Sequence, residues 1–139
     1  MIGLKLVDSV ASGISFGLQP PSRHMRPVVL IVEPRREVAE ALEDVVTSAR
    51  YEAIVRPHVD RISDLDVTPS AIIVRVAFEG IGEPPHAAIG RWPNRPPVVA
   101  IAWEDNEIAE AARLKCDVVL RAPQEIGRLC QALTSVVHA

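Results

Sequence analysis

Ala71-Ile72-Ile73-Val74-Arg75, with Val76 behind it, is four apolar residues closed by a guanidinium. The run is short and rich in β-branched side chains, which fits a strand buried on both faces. Four more runs share its grammar. Val28–Val32 ends on Glu33 and Pro34, and Glu52–Arg56 stops at Pro57. Val98–Ala102 follows a Gly/Pro-rich stretch over 77–97, and Asp117–Arg121 leads into Ala122 and Pro123.

Helical spacing fills the intervals. Val38, Leu42, Val45, Val46 and Ala49 make one apolar face behind Pro34, whose missing N–H costs nothing in a first turn. A helix is expected over about Asn106–Leu114 with Asp105 as its N-cap. Ala122-Pro123 opens a last helix whose sheet face is Ile126, Leu129, Cys130, Leu133 and Val137. The segment Arg61–Val67 reads as a short helix or irregular turn, and 77–97 has room for one short helix near His86–Trp92. Strands alternating with helices imply a parallel sheet covered on both faces. Five such units predict an α/β fold, a flavodoxin-like (βα)5 doubly wound sheet with strand order 2-1-3-4-5.

Composition bounds the function. The chain has 139 residues, enough for one domain with a real core. Its net charge of −3 and 4% aromatic content argue against nucleic acid as a partner. No apolar run approaches the roughly 20 residues of a membrane span, so no membrane role and a cytoplasmic location are expected. Cys116 and Cys130 lack metal-ligand spacing and read as buried free thiols. The chain changes character near residue 20, where Gln19–His24 reads as a linker. Residues 1–25 are therefore an N-terminal extension, and 26–139 the domain. Two readings of the extension stay open. Either Met25 is the initiator and the upstream residues are not native, or Leu6, Val7, Val10 and Ile14 form a short docking or dimerising helix.

Residues 26–138 resemble the receiver domains of two-component response regulators. VVLIVEP (28–34) is similar to the family's strand that runs into an acidic pair, and PSAIIVR (69–75) to the strand that carries the phospho-accepting aspartate. PPVVAIAW (96–103) is similar to the strand that ends in Ser or Thr, and KCDVVLRAP (115–123) to the strand with a Lys-Pro ending. Four motifs in register cover about 110 residues.

Every position that the resemblance marks as catalytic departs from the family pattern. The acidic pair is Glu33 and Pro34, the acceptor is Arg75, the hydroxyl is Ala102 and the lysine is Ala122. The glycine that usually ends the fourth helix is Lys115, and the switch aromatic of strand five is Val119. Phosphoryl transfer of this kind needs a carboxylate nucleophile and Mg²⁺ held by carboxylates. A guanidinium cannot accept a phosphoryl group and stays protonated. The resemblance therefore implies a pseudo-receiver: no enzyme, no catalytic residue, no metal and no cofactor.

Arg75 has a structural reading, an ion pair with Glu33 across the strand ends. Its functional reading is an anion site shared with Arg35 and Arg36 at the start of the first helix. His24, His58, His86 and His138 are scattered without ligand spacing. Ser70 lacks a nucleophile elbow, and Gly80-Ile81-Gly82 lacks the context of a dinucleotide loop. Glu79, Glu83, Glu104 and Asp105 read as a solvated acidic rim.

Two functions remain. One is a phosphorylation-independent interaction and signalling module. The resemblance implies that its contacts, with a protein partner or a second copy, run through the helices flanking the fifth strand, fourth and fifth in receiver order. These cover about Asn106–Leu114 and Gln124–Val137, with Ala109, Ala112, Val119, Ala132 and Val136 as candidate contact residues. The other is a small anion- or nucleotide-binding flavodoxin-like domain using Arg35, Arg36 and Arg75.

Overall fold

The computed structural model describes residues 26–58, 65–76 and 85–138, with the backbone alone for 85–87. Its elements are β1 (Val28–Val32), α1 (Arg36–Ser48), β2 (Glu52–Arg56), β3 (Ala71–Arg75), α2 (Pro85–Gly90), β4 (Val98–Ala102), α3 (Asp105–Leu114), β5 (Val118–Arg121) and α4 (Leu129–Val137). A 3₁₀ turn, Ile126–Arg128, leads into α4.

The five strands form one parallel sheet in the order β2-β1-β3-β4-β5. This is the 2-1-3-4-5 order, so the expected flavodoxin-like architecture is present. Alternation along the strands divides the core into two layers. Val29, Ile31, Ala71, Ile73, Val99, Ile101 and Leu120 face α1 and α4, meeting Leu42, Val46, Leu129 and Leu133. Leu30, Val32, Ile72, Val74, Val98 and Ala100 face α2 and α3, meeting Ile89, Ala111 and Leu114. The three central strands are thus apolar on both sides, which explains their unbroken runs. β2 and β5 are the sheet edges. On β2 all five residues are half-buried, and Arg56 Nη1 donates to the Val55 carbonyl at 3.0 Å.

Several local expectations are corrected. α1 starts at Arg36, not Pro34, with extended Arg35 at its N-cap position. The cause is Glu33, whose carboxylate accepts the Arg35 N–H at 2.9 Å and holds the chain in a turn across Pro34. Asp105 is the first residue of α3 rather than its cap, and the cap position is Glu104. Glu107 in the first turn folds back instead on the chain ahead of the helix, its Oε1 accepting the Trp103 N–H at 2.8 Å. Asp117 lies outside β5; its carboxylate accepts the Val98 N–H at 2.8 Å. α2 ends at Gly90, short of Trp92.

The last helix differs most. Residues 122–125 form a turn, held where the Glu125 carboxylate accepts the Arg121 N–H at 2.8 Å and the Glu125 N–H reaches the Arg121 carbonyl at 2.7 Å. α4 buries Leu129, Ala132 and Leu133, with Val136 and Val137 partly buried against the same layer. Ala132 therefore packs on the sheet instead of facing solvent. Cys130 is exposed, so neither its sheet-facing assignment nor its reading as a buried thiol holds. Cys116 is half-buried and hydrogen-bonds the Ala111 carbonyl at 3.2 Å. The extension 1–25, most of Arg61–Val67, and Gly80, Gly82, Glu79 and Glu83 lie outside the described residues.

Candidate functional site

The sheet's register brings its carboxyl-terminal residues together. Val32 pairs with Val74, Arg75 with Ile101, and Ala102 with Arg121. Glu33, Arg75, Ala102 and Ala122 therefore share one end of the sheet. Glu33 is 2% exposed, and Ala102 and Ala122 are buried beside each other through an Ala122 N–H to Ala102 carbonyl bond of 2.8 Å. Pro34 is exposed.

Arg75 extends from the last position of β3 into this end and lies between two carboxylates. Its Nη1 is 4.0 Å from Glu33 Oε2, and its Nη2 is 3.5 Å from Glu107 Oε2. Its side chain is 14% exposed and both acids are nearly fully buried, so solvent screens these contacts little. The pairing with Glu33 is a single long contact, not a bidentate fork, and Glu107 is the nearer partner. Burial pushes the Glu33 carboxyl above its ordinary 4.5, against the pull of the Arg35 N–H and the Arg75 and Arg35 charges.

Trp103 completes the cluster. Arg35 lies over its ring at 5.3 Å and Arg75 at 5.8 Å from the centroid, two cation–π contacts on one indole. Arg35 also approaches Glu33 Oε2 at 3.9 Å. At the cluster's margin Arg121 pairs with Asp105 at 2.9 Å. Neither Glu107 nor Trp103 was among the sequence candidates. Glu107 carried a signal: a glutamate in the third position of a helix often turns back to a preceding N–H.

The arrangement decides what chemistry is available. Mg²⁺ takes near-octahedral oxygen ligands, mostly carboxylate and water. Here the two carboxylates are spanned by a guanidinium, so the residues do not fit a divalent ion. Among the described residues no group of His, Cys, Asp and Glu could hold a metal. His58 and His138 are exposed.

Each arginine of the candidate anion site is engaged with an acid. Arg36 points along the exposed face of α1 to Glu40 at 3.5 Å, away from the cluster. Arg75 is already matched by two acids and Arg35 by one. An incoming phosphate would meet Glu33 and Glu107 before any unmatched cation.

The candidate interface lies on another side. Ala109 and Ala112 on α3 are exposed, as is Val119 on β5 at 39%. Ile108, absent from the sequence candidates, is 40% exposed beside them in α3. Ala132 and Val136 belong to the core side of α4 and drop out of the patch.

Solved structures with this architecture supply the comparison. A putative response regulator from Chloroflexus aurantiacus superposes with a TM-score of 0.71 at 20% identity, over 82% of this chain and 99% of that one. A response regulator receiver protein from Burkholderia phymatum gives 0.68 at 19%, over 81% and 96%. This is the receiver fold. A receiver domain from Methylobacillus flagellatus gives 0.66 at 18%, over 80% and 98%. No protein-family model and no curated protein matches the chain. This fold thus holds an end-of-sheet cluster in which β3 terminates in arginine.

Proposed function

We propose that this chain is a pseudo-receiver: a protein–protein interaction module of two-component-type signalling that works without phosphorylation and without enzymatic activity. The observation that carries the reading is Arg75, seated at the end of β3 between Glu33 and Glu107. It stands at the position where the resemblance expects the acceptor aspartate. Its charge substitutes for that of a metal ion, so the acids at the sheet end are matched without a ligand. Ala102 and Ala122 offer neither the hydroxyl nor the ammonium that the family pattern uses there.

A domain of this kind has no phosphate-driven change of state, so its binding surface is always presented. The surface best suited is the α3–β5 face, where Ile108, Ala109, Ala112 and Val119 are exposed together. Small residues on α3 allow a partner's backbone to come close. No helix among the described residues is long and apolar enough to cross a membrane, and the proposed partner is a protein in the cytoplasm. The nucleotide-binding alternative gains nothing from a cluster in which carboxylates face every arginine.

Acetyl phosphate or beryllofluoride with Mg²⁺ is the direct test. Intact mass and backbone amide spectra are expected to stay unchanged. A one-to-one adduct on a carboxylate would overturn the reading.

A further inference from the structure

A second feature of the surface is independent of the α3–β5 face. A groove of about 300 Å³ runs between the first two turns of α1 and the end of edge strand β2, lined by Glu33, Pro34, Arg36, Ala39, Glu40, Glu43, Val55 and Pro57. Its α1 wall is one helical stripe, because 36, 39, 40 and 43 recur at i, i+3, i+4 and i+7. Ala39, Val55 and the two prolines supply an apolar lining. Three carboxylates against one guanidinium supply a net negative charge.

Part of this charge is matched internally, Glu33 by Arg75 and Arg35 through Oε2 and Glu40 by Arg36, and two observations show what remains. Arg36 is matched by Glu40 at 3.5 Å, while the carboxylate of Glu43 has no ion-pair partner among the described residues. Glu33, whose side chain is 1% exposed, directs all its contacts through Oε2. Its Oε1 is buried with no hydrogen-bond partner. A buried carboxylate oxygen without a donor costs more than an ordinary unmade bond, and it belongs to a residue of the groove wall.

We propose that the groove receives one basic side chain, arginine or lysine, from a protein partner. The aliphatic stem lies along Ala39, Val55, Pro34 and Pro57, and the cationic head meets the carboxylates of Glu43 and Glu33. The size supports a side chain, since about 300 Å³ is the low end of small-molecule pockets. The sign of the charge excludes phosphates. The inference rests on the interaction-module reading and adds a second contact to it, on the opposite side of the sheet from β5.

The test uses the full chain, labelled with ¹⁵N, and three acetylated, amidated pentapeptides: Ala-Ala-Arg-Ala-Ala, its lysine form and its norleucine form. The arginine and lysine peptides are expected to shift the amides of Arg36, Ala39, Glu40, Glu43 and Val55, with saturation in the millimolar range. The norleucine peptide is expected to leave them in place. An E40Q/E43Q variant, at one exposed and one half-buried position, is expected to weaken binding at least threefold while melting like the wild type. E33Q is run beside it, with its fold checked by the same spectra, and is expected to weaken binding further. Absence of groove shifts at 20 mM peptide, equal shifts with norleucine, or shifts confined to Glu104 and Asp105 would each overturn the proposal. None of these outcomes bears on phosphorylation, so the pseudo-receiver reading fails or stands separately.

Discussion

Replacing Arg75 with methionine removes the charge and keeps most of the side chain's volume. Two buried carboxylates, Glu33 and Glu107, then face each other's charge with no guanidinium between them. Breaking a buried ion pair by deleting one partner costs about 3–5 kcal/mol. The contacts here are 4.0 and 3.5 Å, longer than ideal, which places the expected loss near 3 kcal/mol at pH 7. For a domain of this size that is a fall in Tm of about 12 °C. The loss has a pH signature. In the variant the Glu33 carboxyl, already raised by burial, also loses the pull of the Arg75 charge, so the native state takes up a proton that the unfolded chain releases. Stability then rises as pH falls toward 4.5, the ordinary glutamate value. The gap between variant and wild type is therefore expected to narrow between pH 7 and pH 5. Urea unfolding at both pH values measures it. A loss below about 0.5 kcal/mol at pH 7, or a gap that stays constant with pH, would refute the claim that Arg75 neutralises this cluster.

Other expectations follow from single residues. Lys115 ends α3 with φ 58° and ψ 53°, a left-handed conformation that glycine adopts without penalty; Lys115→Gly should stabilise the domain by about 0.5–1 kcal/mol in chemical denaturation. Glu33→Gln removes a carboxyl whose folded-state pKa is raised, so the wild type alone should lose stability as pH rises above 4.5 through that pKa; identical pH profiles would argue against it. An Ala109→Glu/Val119→Glu pair should weaken self-association or partner capture without lowering Tm, and sedimentation with melting curves separates that from unfolding.

The sheet was legible because its inner strands are apolar on both faces, and continuous runs such as Val98–Ala102 admit few other readings. The sheet-end positions followed from those strands, so Glu33, Arg75, Ala102 and Ala122 fell into place by counting. The partners of Arg75 did not. Trp103 and Glu107 reach the cluster from the loop and first helical turn that follow β4, and their spacing along the chain does not say that they meet the end of β3. The α4 face was misjudged for a related reason. Stripes through Cys130 and through Ala132 are both helical in spacing, and the turn at 122–125, set by Glu125, fixed the rotation. The helix that follows this turn buries Ala132 and exposes Cys130.

The guanidinium between two acids also makes the cluster hard to leave by single steps. Aspartate at position 75 would gather three carboxylates in a buried space, each raising the others' proton affinity. Such a domain would fold best with at least one of them protonated, a poor state for a nucleophile near neutral pH. Glutamine at 33 or 107 would leave Arg75 short of a counter-charge instead. A change of charge at one position alone thus unbalances the cluster, and a compensating change at a second position reaches another balanced arrangement.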